Sequence, residues 1–326
     1  MNCIDYLIQN RDSFFVRPPS PVDFLILSCA AYFPLSDALF FSPDKTHEPV
    51  SFGDLLSLVA PSDLVPSGWD AEKSVDLLLA LAASPRFRSV QILDAVAQSD
   101  ASIELQFAAV AFKLPNALSC IAFRGTDSTK NGWKEDFNMA FQSPIPAQIL
   151  AADYLAQFSR RFHSAVVVCG HSKGGNLAHY ASVMCAPQVR VRLRQAISFD
   201  GPGFLPEFLA TARYQAAKNR LVKFVPQSSL VGTLLSGEET TFVIKSNADG
   251  IFQHNPYTWQ VDGTDFHYLN TLTPTARLAD RAIDALLSHL SLSERKILVD
   301  GAYELLTDSP FSSQTARAAS QLPDNI

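Results

Sequence analysis

Residues 166–178 read Val-Val-Val-Cys-Gly-His-Ser-Lys-Gly-Gly-Asn-Leu-Ala, a short apolar run that a Gly-x-Ser-x-Gly pattern interrupts before a helix-forming stretch begins. A buried strand, a glycine-lined turn and a helix are the context in which this pattern forms a nucleophile elbow. The spacing predicts that Ser172 lies on the turn with its hydroxyl above a sheet. Gly170 and Gly174 are expected because a Cβ at either position would collide with the neighbouring strand or helix. The first amides of the helix would face developing negative charge.

The composition limits the classes of protein that the chain can represent. Its 326 residues are 47% hydrophobic and include 23 Phe, which predicts a large core. A formal net charge of −6 with scattered basic residues argues against a nucleic-acid partner. The five cysteines have no metal-ligand spacing, and no glycine-rich nucleotide loop occurs, so neither a metal nor a cofactor is predicted.

The distribution of apolar residues predicts where the protein resides. The N-terminal residues lack the apolar core of a signal peptide, and nowhere do eighteen apolar residues follow one another. We therefore expect a cytoplasmic protein without a membrane span.

The pattern of elements predicts an α/β fold within a single domain overall. Residues 1–100 are expected to be mainly helical and to pack on the core. Residues 101–308 alternate between strand and helix patterns, which build a mostly parallel sheet with helices on both faces. Residues 309–326 form a polar tail. The strands are predicted at 103–112, 118–123, 166–169, 196–199, 221–225 and 241–244.

A serine nucleophile needs a base to accept its proton and a carboxylate to orient that base. In folds built on this elbow, the acid and then the histidine follow the serine along the chain. Asp200 ends the apolar run 196–199, whereas the next predicted strand ends in Pro-Gln-Ser-Ser without a carboxylate. These features predict Asp200 as the acid. The remaining candidates are Asp249, Asp262 and Asp265.

Two late histidines are candidates for the base. His254 follows a predicted strand in a loop, from which a side chain can reach across the top of the sheet, and it is the predicted base. His267 is the alternative. His171 is expected to support the elbow with its side chain turned away from Ser172, and His179 is expected to be structural.

An oxyanion hole requires the amide after the nucleophile and a second amide from an earlier strand-to-helix loop. Lys173 supplies the first amide. The loop after strand 118–123 reads Arg-Gly-Thr-Asp, in which Gly125 permits close approach and Thr126 supplies an amide. Asp127 is expected to brace this loop by accepting backbone amides.

Several segments resemble known hydrolases. Phe-Arg-Gly-Thr-Asp-Ser at 123–128, Trp-Lys-Glu-Asp-Phe at 133–137 and Cys-Gly-His-Ser-Lys-Gly-Gly-Asn-Leu-Ala at 169–178 resemble the class 3 lipase group of α/β-hydrolases. Gln-His-Asn-Pro-Tyr-Thr-Trp at 253–259 is similar to a bacterial, lipase-like family of undefined role. The resemblance implies an α/β-hydrolase fold with extra N-terminal helices. One feature departs from it, because class 3 lipases usually carry the acid one strand later than Asp200, whereas the position of Asp200 looks like that of pancreatic-type lipases.

Together these features predict a serine esterase or lipase. It would cleave a carboxylic ester with an apolar acyl group through an acyl-enzyme on Ser172, and contact with a lipid interface is compatible with this activity. An acyltransferase or thioesterase with the same residues is one alternative. A catalytically inactive hydrolase fold that acts as a binding module is another, because the strand that usually carries the acid has none.

Overall fold

A single large sheet organises the part of the chain that the computed structural model describes, residues 1–40, 48–66, 70–127 and 130–308. The predicted tail, 309–326, lies outside these residues. The strands are β1 (Val50–Ser51), β2 (Gln91–Asp100), β3 (Leu105–Lys113), β4 (Ser119–Phe123), β5 (Val166–His171), β6 (Leu193–Phe199), β7 (Leu221–Pro226), β8 (Thr240–Ile244), β9 (Val261–Asp262), β10 (Asp265–Phe266) and β11 (Tyr268–Leu269).

Within the described ranges, nine strands follow one another across the sheet in the order β1-β2-β3-β4-β5-β6-β7-β8-β11, and β9 pairs with β10 separately. The five central strands, β4 to β8, run parallel to one another. The strands on either side of them are antiparallel to their neighbours. Because parallel strands need long crossovers, helices connect β4 to β5, β5 to β6 and β6 to β7, whereas a loop joins β7 to β8.

The helices cover both faces of this sheet. They are α1 (Cys3–Gln9), α2 (Pro21–Ala30), α3 (Phe52–Leu58), α4 (Ala71–Ala83), α5 (Lys130–Asn138), α6 (Pro146–Arg161), α7 (Lys173–Met184), α8 (Pro187–Arg190), α9 (Pro206–Leu209), α10 (Ala212–Ala217), α11 (Pro274–Ser288) and α12 (Leu292–Asp308).

Alternation along the central strands divides the core into two layers. On β4, Cys120 and Ala122 pack with apolar residues of α1 to α4. Ile121 and Phe123 point to the other face and pack with α6 and α7. Successive side chains of a strand point to opposite faces, so a continuous apolar run such as β4 is buried on both sides. This architecture is the α/β-hydrolase fold, with α1 to α4 as the extra N-terminal helices, and the predicted fold class is confirmed.

Two elements differ from the expectation. Residues 91–100, inside the segment expected to be mainly helical, form β2, a full strand of the sheet. Its exposed end reads Ala-Gln-Ser-Asp and lacks the apolar alternation that predicts a strand. The sequence pattern near 207–217 predicts a single helix, but the structure has two short ones, because the Thr211 hydroxyl accepts from the amide of Tyr214 and starts a new helix. The division of the chain at residue 100 stays a prediction.

A buried ion pair holds the far side of the parallel sheet. Lys223 on β7 lies 2.9 Å from Glu239, and both side chains are almost fully buried. Glu239 also accepts a hydrogen bond from the Tyr214 hydroxyl at 2.9 Å. Burial by itself would raise the pKa of Glu239, but the charge of Lys223 and its hydrogen bond, together with nearby His179, lower it to about 2.

This lowered pKa predicts an acid-dependent loss of stability. The contribution of Glu239 is present above its ordinary pKa of 4.5 and is lost as the pH falls from there towards 2. We expect Glu239→Gln to lower the free energy of unfolding at pH 7 by about 3 kcal/mol, since each pKa unit is worth about 1.4 kcal/mol. The difference from the wild type should shrink between about pH 4.5 and 2, as urea unfolding at a series of pH values would measure.

The neighbouring residue provides the matched control. Glu238 pairs with Lys218 at 2.7 Å on the surface, where both side chains are partly exposed. Glu238→Gln should therefore change the stability by less than about 1 kcal/mol. Equal losses in the two variants would contradict the proposed importance of the buried pair.

Candidate active site

The turn between β5 and α7 holds Ser172 in an unusual backbone conformation. Its φ is +58° and its ψ is −134°, a combination that costs a residue with a side chain about 1–3 kcal/mol. The amide of Ser172 donates to the carbonyl of Phe199 on β6 at 2.9 Å, and its carbonyl accepts from the amide of Gly175 at 2.9 Å. The turn is therefore fixed by the adjacent strand on one side and by the helix on the other.

Close packing of the first turn of α7 explains the glycine pattern. A Cβ on Gly174 would overlap the carbonyl group of Phe123, and one on Gly170 would overlap the backbone of Gly174. The end of β4 thus lies directly against the elbow. This contact brings the loop that follows β4 next to Ser172, where an oxyanion hole is needed.

Three predicted side chains meet at the carboxyl edge of the sheet. The hydroxyl of Ser172 lies 2.9 Å from Nε2 of His254, and Nδ1 of His254 lies 2.7 Å from Oδ2 of Asp200. Both separations are hydrogen-bond distances. Asp200 is buried, whereas the side chain of His254 is 24% exposed. The structure therefore brings together, in one row of hydrogen bonds, the three side chains that the sequence predicts as nucleophile, base and acid.

A second hydroxyl holds the carboxylate from the next strand. Ser229, beyond the end of β7, donates from Oγ to Oδ1 of Asp200 at 2.5 Å. The amide of Gly232 in turn donates to Oγ of Ser229 at 2.9 Å. The loop after β7, in which the sequence lacks a carboxylate, therefore carries a hydroxyl that contacts Asp200 at the end of β6. The sequence analysis noted the Ser-Ser pair only for its lack of a carboxylate.

His171 supports the loop that carries His254. Its Nε2 lies 2.8 Å from the carbonyl oxygen of His254, and its Nδ1 lies 3.1 Å from the hydroxyl of Tyr32. Burial, followed by the nearby His254, lowers the pKa of His171 well below 6.5, so the ring is neutral. Because a carbonyl only accepts, Nε2 carries the proton and Nδ1 accepts from Tyr32. The sequence contained no signal for the part that Tyr32 plays.

The remaining candidates lie elsewhere. His267 is half-exposed and lies 3.9 Å from Asp262, whose side chain is largely exposed. Asp265 accepts from the amide of Phe266 and the hydroxyl of Tyr268, and Asp249 is exposed. His179 is buried in α7, where its ring contacts the carbonyl of Val222 at 3.1 Å. The structure places none of them in hydrogen-bond contact with Ser172.

The loop after β4 approaches the elbow as an oxyanion loop would. A Cβ on Gly125 would overlap the Tyr32 hydroxyl and the carbonyl of His171, so only glycine permits this approach. The Thr126 hydroxyl donates to Oδ2 of Asp136 on α5. Asp127 forms an ion pair with Arg124 at 3.4 Å across the loop. The amide of Lys173 is the first of α7, a position without an acceptor inside the helix.

Asp136 is a site residue that the sequence analysis did not single out. Burial raises the pKa of its carboxyl to about 6, against the lowering effects of Lys173 and the Thr126 hydroxyl. The hydroxyl proton of Thr126 is directed to this carboxylate, which leaves the Thr126 amide as the donor that the sequence predicts for an oxyanion. The sequence signal that could have pointed to Asp136 was the pair of acids at the end of Trp-Lys-Glu-Asp, nine and ten residues after Thr126.

The family follows from a comparison of the whole sequence. A family model described as Mbeg1-like matches residues 81–304, well over half of the chain. The chain belongs to the Mbeg1-like family. This family is lipase-like, in agreement with the predicted resemblance. The residues that match the Mbeg1-like model include the elbow and every residue of the site except Tyr32. No curated protein matches the sequence significantly.

Solved structures with a similar fold include lipases. A Rhizomucor miehei lipase propeptide complex is 17% identical, with a TM-score of 0.35, and the match covers 55% of this chain and 70% of that one. A Penicillium expansum triacylglycerol lipase is 11% identical, with a TM-score of 0.35 and coverages of 52% and 72%. The extracellular lipase LipA from Serratia marcescens is 17% identical, with a TM-score of 0.36, and the match covers 67% of this chain and only 40% of LipA. These weak similarities say nothing about the chemistry of this chain.

The described residues also bear on metal and membrane binding. They contain no group of three or more His, Cys, Asp or Glu side chains arranged to hold a metal ion. None of their helices combines the length and the apolar character that a membrane crossing requires.

The contact between α7 and β4 predicts the effect of a single methyl group. We expect Gly174→Ala to lower the free energy of unfolding by several kcal/mol, because the added Cβ overlaps backbone atoms that cannot rotate away. Urea unfolding would measure the loss. The control is Gly301→Ala in α12, where a Cβ meets no atom within 4 Å and should stabilise the helix by up to about 1 kcal/mol. A neutral Gly174→Ala would disprove this close contact.

Proposed function

We propose that the protein is a serine hydrolase that cleaves a carboxylic ester with an apolar acyl group through an acyl-enzyme on Ser172. The observation that carries the proposal is the continuous hydrogen-bonded chain from Ser172 through His254 to Asp200. A serine on a strained elbow with this chain is the arrangement that activates a hydroxyl for acyl transfer.

The geometry supports one path for each proton of the proposed reaction. The Asp200 carboxylate accepts from Nδ1–H of His254, which leaves the lone pair of Nε2 directed at the Ser172 hydroxyl. Nε2 takes the proton of Ser172 as Oγ attacks the ester carbonyl, and returns it to the alcohol that leaves. A water molecule then attacks the acyl-enzyme with the same base, which releases the acid and restores Ser172.

Two amides and a helix terminus support stabilisation of the oxyanion. The Lys173 amide and the Thr126 amide belong to segments that Gly174 and Gly125 hold in close contact. The N-terminus of α7 adds a partial positive charge at the same place. Fixed donors of this kind stabilise the tetrahedral intermediate without reorganisation, and removing one donor slows related hydrolases by about 10²–10³-fold.

Exposed apolar side chains beside the base support an apolar substrate. Ile251 and Phe252, in the short turn that ends at His254, are 59% and 76% exposed. On the other side of Asp200, Leu230, Val231 and Leu234 are only half-buried. Their segment is fixed by the hydrogen bond between Gly203 and Leu234, so it suits the wall of an acyl site.

The proposal is tested with a fluorophosphonate probe and p-nitrophenyl esters. The wild type should be labelled and should hydrolyse the esters, and Ser172→Ala should lose both properties. His254→Ala and Asp200→Asn should lower kcat by about 10³-fold or more in a folded protein, because the base or its orientation is lost. His267→Ala is the control and should retain full activity, since the ring of His267 lies 3.9 Å from Asp262 and makes no hydrogen bond to Ser172.

Other results would favour the alternatives. An unlabelled wild-type protein would contradict a hydrolase and support a binding module. Labelling that depends on Ser172, with the acyl group passed to an added alcohol in preference to water, would indicate an acyltransferase. A large preference for acyl thioesters over the matching oxygen esters would indicate a thioesterase.

The cytoplasmic location remains part of the proposal.

Phe252 provides a test of the apolar acyl group. We expect Phe252→Ser to raise KM for p-nitrophenyl decanoate about fivefold, because partial burial of an aromatic side chain against an acyl chain is worth about 1 kcal/mol. KM for p-nitrophenyl acetate should not change. Phe15→Ser is the matched control, because Phe15 is 73% exposed on the N-terminal segment. Equal effects on both esters would contradict an acyl contact at Phe252.

A further inference from the structure

The side chain of Lys173 runs into the interior although its backbone belongs to the elbow. Its ammonium is fully buried and makes three hydrogen bonds, to the backbone oxygen of Gln106 at 2.9 Å, to Oε1 of Gln106 at 2.8 Å and to Oε2 of Glu135 at 2.8 Å. An ammonium has three donors, so all of them are used. The lysine therefore has neither a proton nor an approach left for substrate chemistry.

Glu135 joins β3 and α6 to the same point. Its Oε2 accepts from the amide of Gln106 on β3 at 3.1 Å, and its Oε1 accepts from the amide of Ala147 at 2.9 Å. Ala147 lies in the first turn of α6, where helix amides favour a negative charge. The carboxylate is as completely satisfied as the ammonium, which is the condition under which a buried ion pair is tolerated.

The pair is linked to both halves of the proposed oxyanion hole, to one of them through Asp136. One half is the backbone amide of Lys173 itself. The other half is the Thr126 loop, whose hydroxyl is held by Asp136, the residue after Glu135 on α5. Asp136 also lies 3.8 Å from the ammonium of Lys173. The buried ammonium of Lys173 thus links the elbow to α5, the helix whose Asp136 orients the Thr126 loop.

We propose that Lys173 and Glu135 are positioning residues that hold the Lys173 amide and the Thr126 loop at a fixed separation for the oxyanion. This inference rests on the proposed function. Oxyanion donors act only when they are placed in advance, and a displacement of about 1 Å is enough to reduce the rate strongly. A buried ion pair imposes such a separation because neither charge can move away from the other without being left unpaired in the core.

The variants are chosen so that at least one leaves no isolated charge. Lys173→Met and Glu135→Gln each remove one partner, and the double variant Lys173→Met/Glu135→Met replaces the pair by apolar side chains of similar length. The control is Arg86→Met, which breaks another fully buried ion pair, Arg86–Asp23 at 2.7 Å, between the N-terminal helices and the segment after α4. Active sites are counted with the fluorophosphonate probe, so that kcat refers to folded enzyme.

We expect a loss of kcat by about 10²-fold in the double variant, with KM for a p-nitrophenyl ester changed less than threefold. The Ki of octylboronic acid, whose tetrahedral adduct on Ser172 places an oxygen in the oxyanion hole, should rise by the same factor as kcat falls. Arg86→Met should leave kcat per labelled site and this Ki unchanged. Wild-type kcat and Ki in the double variant, or equal losses in the control, would overturn the proposal. So would a failure of all three pair variants to fold, because the pair would then support the fold as a whole.

Hydrogen exchange separates this inference from the proposed function. Amides of residues 119–127 should exchange at least tenfold faster in the double variant than in the wild type or in Arg86→Met. A wild-type protein without Ser172-dependent hydrolysis would remove the proposed function, yet faster exchange in this segment would still show that the pair positions the loop. Unchanged exchange would overturn the positioning role whether or not the protein is active.

Discussion

The bend at Ser172 is the constraint on which the site depends. A parallel strand must turn into a helix within one residue, and this places Ser172 at φ +58°, a backbone region that a residue with a side chain seldom adopts. The contacts of β4 with the first turn of α7 hold the bend closed, because glycine at 170 and 174 lets backbone meet backbone. The strained turn is therefore held by direct backbone contacts between β4, β5 and α7.

The direction of the strands brings residues together that are far apart in the chain. Strands β4 to β7 are parallel, so the residues that follow them emerge at one edge of the sheet. Asp200 and Ser229 come from adjacent strand ends, and the turn with His254 crosses this edge. Hydrogen bonds therefore form one row, from Ser229 through Asp200 and His254 to Ser172. His171 supports the backbone of His254 beside this row.

Buried charges are distributed around the site in pairs. Lys173–Glu135 lies behind the elbow and Lys223–Glu239 behind β7. Each lysine also donates to a backbone carbonyl, that of Gln106 or that of Gly232. Since an unpaired charge in the core is costly, each pair restricts the segments that it joins more narrowly than apolar contacts do. The site is thus supported by directional contacts on two sides.

Local patterns in the sequence by themselves determined the central strands and the turn at Ser172. The runs of β4, β5 and β7 and the Gly-x-Ser-x-Gly turn could be recognised in the sequence, because burial on both faces favours continuous apolar strands and the turn requires glycine. The choice of Asp200 over the later aspartates, and of His254 over His267, also followed from chain order and strand ends. Their catalytic roles remain a proposal, but these are the side chains that the structure brings to Ser172.

Only the tertiary structure decided the features that depend on neighbours remote in the chain. Strand β2 carries no periodic signal, and it forms because β3 offers it a complete row of backbone partners. Tyr32, Glu135, Asp136 and Ser229 have ordinary sequence surroundings. Their importance arises from hydrogen bonds to residues 10 to 139 positions away. A sequence records which donors and acceptors exist, whereas the fold determines which of them are buried together without water.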